Sequence, residues 1–166
     1  MEDQRHSPAG GSAPLAPGRL RAPLGFYPCK VDSAGRLKLP AKYQEYLDRL
    51  PDKYLFVTES RGLARIYTNG SWERRLARIE DPQLRWRETF RAELVGCDVD
   101  VDPQGRITLP QQLRKELGLE DKTVQLRFYE DVITIYPPDK FDEELRRVNS
   151  HRESDAERLA ALGIDF

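Results

Sequence analysis

Two short stretches of this chain alternate apolar and polar residues with a period of two. In Arg36-Leu37-Lys38-Leu39 and in Arg106-Ile107-Thr108-Leu109 the aliphatic residues fall on one face and the polar ones on the other, the pattern of a half-buried strand. Each stretch sits in the same setting. A strand-like run precedes it, Phe26 to Val31 in the first case and Val99 and Val101 alternating with Asp98, Asp100 and Asp102 in the second. A proline follows it, Pro40 or Pro110, where the missing N–H suits the opening of a helix. Tyr43, Tyr46, Leu47 and Leu50 give the first helix an apolar stripe, and Leu113 and Leu117 do so in the second. Pro51-Asp52 ends the first helix and Gly118 the second. A hairpin comes next in each case, Tyr54–Thr58 with Leu63–Tyr67 and Thr123–Phe128 with Val132–Tyr136.

The polar links between these runs are repeated too. Asp32-Ser33-Ala34-Gly35-Arg36-Leu37-Lys38-Leu39-Pro40 returns as Asp102-Pro103-Gln104-Gly105-Arg106-Ile107-Thr108-Leu109-Pro110, and Tyr67 with Trp72 is answered by Tyr136 with Phe141. One strand–turn–strand–helix–hairpin unit is therefore used twice. A unit this short buries too little surface to be stable alone, so the two copies are expected to complete one another's core. Between them, Asn69 or Ser71 is expected to cap a helix running from about Trp72 to Ile79. Asp81-Pro82 interrupts it, and a second helix from about Gln83 to Glu93 carries Leu84, Phe90 and Leu94. Beyond Phe141 an acidic amphipathic helix and a helix-prone tail are expected.

Composition narrows the class. The chain has 166 residues, of which 39% are hydrophobic and 33% charged. No apolar run reaches the ~20 residues that cross a bilayer, and the first residues lack a signal peptide's apolar segment, so a cytoplasmic protein is expected. The Gly-, Pro-, Ala- and Ser-rich start reads as a disordered leader. The net charge of −1 means that a polyanion partner would require charge segregated onto faces. Acids gather at Glu143-Glu144 and along Glu153, Asp155 and Glu157, while arginines dominate much of the middle. Cys29 and Cys97 are too few for a disulfide scaffold and read as small buried thiols. His6 and His151 lie in the two tails, away from both cysteines, so no metal site and no cofactor is expected.

The candidate chemistry is concentrated at the two turns. Gly35 and Gly105 tolerate a positive φ, and Asp32 and Asp102 can bond the backbone ahead of them; these four residues are read as turn-bracing. Arg36 and Arg106 follow immediately, on the exposed end of a rigid hairpin, where a guanidinium suits bidentate contact with a guanine edge or a phosphate. Lys38 and Lys30 are candidates for the same surface. A second reading has each arginine pair with its aspartate to brace the turn, and the two are compatible. No nucleophile elbow, phosphate loop or His pair is present in the sequence, so an enzyme is not expected.

The doubled Asp-x-x-Gly-Arg turn with its helix and hairpin, from about Gly25 to Phe141, resembles the MraZ family of bacterial regulators, within the SpoVT/AbrB-like swapped-hairpin superfamily. The resemblance implies an α+β, mainly β fold in which two pseudo-symmetric swapped-hairpin units form a double-split β-barrel, with connector and C-terminal helices. The expected division is a leader over 1–24, repeat 1 over 26–71, connector helices over 72–95, repeat 2 over 96–139 and an acidic helical tail over 140–166. The resemblance further implies a nucleoid-associated repressor of a promoter for division and cell-wall genes. Its partners would be double-stranded DNA, bound at direct repeats, and further copies of itself in a ring, with no membrane and no small-molecule substrate. Arg36 and Arg106 take the DNA-contacting positions. Two departures stand out: Ala34 occupies the place of the family's usual lysine, and Pro23-Leu24-Gly25 that of its usual Phe-Arg-Gly. An antitoxin-like module holding another protein through the C-terminal helices is the alternative, and a phosphate-handling enzyme a third.

Overall fold

The turns cut the chain into short strands, and pairing between distant pieces joins them. The computed structural model describes residues 20–165, so most of the expected leader lies outside the described residues. The first copy comprises β1 (Phe26–Lys30), β2 (Arg36–Lys38), α1 (Ala41–Asp48), β3 (Leu55–Ser60) and β4 (Leu63–Thr68). Two helices follow, α2 (Asn69–Ala77) and α3 (Pro82–Val95). The second copy repeats the order with β5 (Cys97–Val99), β6 (Arg106–Thr108), α4 (Gln111–Leu117), β7 (Thr123–Tyr129) and β8 (Val132–Tyr136). The chain then runs through α5 (Pro138–Ser150) and α6 (Arg152–Ala161).

The protein is α+β, built on antiparallel sheet. Six strands pair in the order β1-β7-β8-β4-β3-β5, and β2 pairs with β6 in a separate two-stranded ribbon. Exchanging the copies reverses the six-strand order and leaves it unchanged. Each first strand pairs with the other copy's hairpin: Phe26 faces Arg127, and Leu55 of β3 faces Val99 of β5. The hairpins meet in the middle, where Ile66 faces Ile133. The sheet keeps two ends, β1 and β5, and does not close into a barrel.

One core lies between the sheet, the ribbon and the helices. Leu37 and Ile107 on the ribbon's inner face are directly opposed and at most 1% exposed. They join Leu39, Leu109, Tyr43 and Leu113 in one cluster with the sheet residues Leu126, Ile133 and Ile135. The Tyr43 ring meets Phe128 edge-on at 5.2 Å, and the Tyr46 ring meets it at 5.0 Å. The aromatic after each hairpin folds back on its last tyrosine, Trp72 on Tyr67 at 5.1 Å and Phe141 on Tyr136 at 6.2 Å.

Several local expectations need correction. Helix α2 is capped by Thr68, whose hydroxyl accepts from the Ser71 N–H at 3.2 Å. The β-branched threonine ends a strand in extended backbone, which is the conformation an N-cap requires. Helix α5 opens at Pro138, before Phe141. Cys29 is half-buried, but Cys97 is exposed because it begins a three-residue strand at the sheet's end. Leu84, Phe90 and Leu94, carried on α3 as expected, are 39%, 50% and 58% exposed. Among the described residues no helix is long and apolar enough to cross a membrane.

Candidate nucleic-acid interface

The two turns match atom for atom. In the first, one oxygen of the Asp32 carboxylate accepts from the N–H groups of Ala34 at 3.0 Å and Arg36 at 2.8 Å. The other accepts from the Arg36 Nε at 2.8 Å. In the second, Asp102 accepts from Gln104 N–H at 2.9 Å, Arg106 N–H at 2.8 Å and Arg106 Nε at 2.9 Å. Both carboxyls are held below the usual aspartate value. The arginine backbone N–H is the largest cause; loss of water contact opposes it, and the guanidinium adds to the lowering. Hydrogen bonds to the charged form of a carboxylate favour that form.

Glycine is required at both turns for two reasons. Gly35 and Gly105 have φ of +78° and +76°, a region costly for residues with a Cβ. A Cβ on Gly35 would also collide with the Arg114 side chain, and one on Gly105 with Gln44. Each turn is thus roofed by the helix of the other copy. The copies also interlock through the backbone: Leu39 N–H donates to Gly105 carbonyl, and Leu109 N–H to Gly35 carbonyl, both at 2.9 Å. Gln44 Nε2 donates to the Leu39 carbonyl at 2.7 Å. The Arg114 side chain is only 12% exposed and lies 3.6 Å from Glu120; its buried Nε has no hydrogen-bond partner.

This interlock lays the polar residues of both strands on one surface. Across the ribbon Arg36 faces Thr108 and Lys38 faces Arg106. Because strand side chains alternate, these four residues stand on the face opposite buried Leu37 and Ile107. Lys38 and Thr108 are exposed, and the Arg36 and Arg106 side chains are 44% and 33% exposed. Directly opposed like charges destabilise a strand pair, so Lys38 beside Arg106 makes a face that an anion would relieve. With Nε committed to aspartate, the Nη nitrogens of each guanidinium are left for other partners. Among the described residues those of Arg36 have no hydrogen-bond partner, while Nη2 of Arg106 lies 3.5 Å from the Gln104 side-chain oxygen.

Lys30 lies on the strand that leads into turn one. It is exposed on β1, opposite Thr123, in the six-stranded sheet, and the antiparallel bridge between Val31 and Leu37 connects its strand to the ribbon. Sequence reasoning passed over Gln44, Arg114, Thr108 and Gln104. The repeat itself held the signal: moved along by 70 residues, Gln44 falls on Arg114 and Lys38 on Thr108.

Comparison with known proteins places the chain among named relatives. A curated protein of Acetivibrio thermocellus named "Transcriptional regulator MraZ" is 31% identical over 144 residues, spanning 84% of this chain and 98% of the relative. The chain belongs to the MraZ family. A protein of the same name from Acidobacterium capsulatum is 29% identical over 145 residues, again 84% of this chain and 98% of the relative. One from Coxiella burnetii is 35% identical over 102 residues, 57% of this chain and 66% of the relative. The family model described as "MraZ protein, putative antitoxin-like" matches residues 97–162, from the second copy through α6. The MraZ family name thus reaches the helices α5 and α6 as well as the second arginine turn.

Proposed function

We propose that this MraZ-family protein is a transcriptional regulator that binds double-stranded DNA through the outer face of the β2–β6 ribbon. The observation that carries this reading is the placement of Arg36, Lys38 and Arg106 on one open face of a two-stranded antiparallel ribbon. The major groove of B-DNA admits such a ribbon, and arginine is the commonest specific partner of a guanine edge. Lysine beside it suits phosphate, and each phosphate neutralised releases counterions. Lys30 extends the basic surface toward β1. The relatives' shared name supports a regulatory, non-enzymatic role. In this reading the protein works in the cytoplasm on the nucleoid, and the regulated promoter drives division and cell-wall genes as a repression target.

Three cations per ribbon give weak binding, and multiplication by self-assembly answers that weakness. We read the protein as a homo-oligomer, closing head to tail into a ring on direct repeats. The uncovered apolar faces support this. Trp86, Phe90 and Leu94 of α3 are each at least half exposed, and Leu145 and Val148 of α5 are 48% and 53% exposed. The repeats at 26–71 and 96–139, with their connector and tail, are read as the two halves of a double-split barrel. The uncovered face of α5 also suits an antitoxin-like role toward another protein; that reading predicts a tight heteromeric complex lost on deleting residues after Phe141.

Substituting Arg36→Ala tests the principal reading. Titration of a labelled promoter duplex by anisotropy at two salt concentrations is expected to show weaker binding by about 1–3 kcal/mol and a shallower salt slope, while the variant remains folded with only the small loss expected of an exposed ion pair. Unchanged binding by a folded variant would remove the ribbon from the reading.

A further inference from the structure

The two turns share a backbone but not an environment. At turn one the position before the glycine is Ala34, which offers no polar group, and Arg36 has both Nη nitrogens unengaged among the described residues. At turn two the same position is Gln104, exposed at the tip, with its side-chain oxygen 3.5 Å from Nη2 of Arg106. The approach differs too. Exposed Lys30 leads into turn one, whereas Asp98 and Asp100, both exposed, lead into turn two. Further along, Lys38 of the first copy answers to Thr108 of the second. Turn one thus attracts phosphate strongly. Turn two is approached by the acids Asp98 and Asp100, and its one added cation, Lys38, comes from the other strand, opposite Arg106.

We propose that the turns divide the work: turn one is the phosphate anchor, and Gln104 at turn two is a specificity-determining residue that reads an adenine edge. A neutral amide carries a donor and an acceptor side by side and pairs bidentately with adenine N6 and N7. The Arg106 guanidinium, fixed through Asp102, lies toward the amide oxygen and orients the group. The acids before turn two weaken the attraction that ignores sequence, so hydrogen-bond pattern has more weight in deciding what binds. Pro103 beside it has a fixed φ, which reduces the entropy lost when the tip docks. The role rests on the DNA-binding reading above.

The test is selection of bound duplexes from a random pool by the full-length protein, run in parallel for wild type, Gln104→Ala and Gln104→Lys. The expected result is an adenine in the wild-type motif whose preference falls about tenfold in Gln104→Ala, while affinity for a random-sequence duplex changes by less than twofold. Gln104→Lys is expected to lose the same preference and to steepen the salt dependence, because it adds a phosphate contact. Gln104 is exposed, so circular dichroism and melting should match wild type for both. Identical motifs from wild type and both variants would overturn the role of Gln104 and leave the DNA-binding reading intact. A general loss of affinity in Gln104→Ala would overturn the division of labour, since the residue would then be an anchor. A wild type that retains no duplex would take down both readings.

Discussion

Asp32 and Asp102 show how one side chain decides a turn. Each carboxylate gathers two backbone N–H groups and a guanidinium Nε, so backbone shape and arginine direction are set together. The acid response follows from the lowered carboxyl affinities. A group whose folded pKa lies below its unfolded value stabilises the fold at pH above the unfolded value. That stability is lost as pH falls below about 4 and through the depressed folded value. Asp102→Asn is expected to flatten the acid side of the stability curve below about pH 4 and to leave the slope above pH 5 unchanged. Urea melts across that range check it. The turn residues and the arginines were legible from sequence, because turn chemistry is local. The half-engaged head of Arg106 was not, since it depends on where the Gln104 side chain comes to rest.

At the level of elements, glycine and capping residues carry predictions of different size. Gly105→Ala must adopt φ near +76° and displace Gln44. It is expected to cost more than the roughly 1–2 kcal/mol of the left-handed backbone alone, measured as a lowered urea midpoint. Thr68→Ala removes the acceptor for the Ser71 N–H and is expected to cost about 1 kcal/mol. Ser71 is buried and its hydroxyl donates to the Thr68 carbonyl, so its loss acts through that bond instead of the cap. The period-two and helical patterns foretold most strands and helices. They failed at the edges: Thr68 reads as a strand residue by propensity yet caps α2, where Asn69 or Ser71 was expected.

For the whole molecule, the exchange of first strands matters most. Because β1 adds to β7 and β5 adds to β3, the ribbon forms only when both copies are folded. Long-range pairing of this kind makes folding all-or-none in character. Leu37→Ala, which empties a fully buried site in the ribbon, is expected to cost about 2–5 kcal/mol and to melt both halves in one transition, followed by circular dichroism and tryptophan fluorescence together. Self-association belongs to the same scale. Trp86 and Phe90 stack at 5.2 Å and are 64% and 50% exposed. The double variant Trp86→Glu, Phe90→Glu is expected to shift light-scattering mass toward the single chain and to weaken binding to a two-repeat duplex more than to a one-repeat duplex.

The sequence by itself determined the doubling, the turn chemistry, the alternation that turns Leu37 and Ile107 inward, and the MraZ resemblance. All of these depend on residues close together in the chain, where sterics and hydrogen bonding act directly. Only the tertiary structure decided that Lys38 stands opposite Arg106, that Gln44 and Arg114 roof the other copy's turn, and that Lys30 belongs to a different sheet. Those facts depend on pairing between strands some seventy to a hundred residues apart. Burial of a shared core selects that register, and no local pattern encodes it.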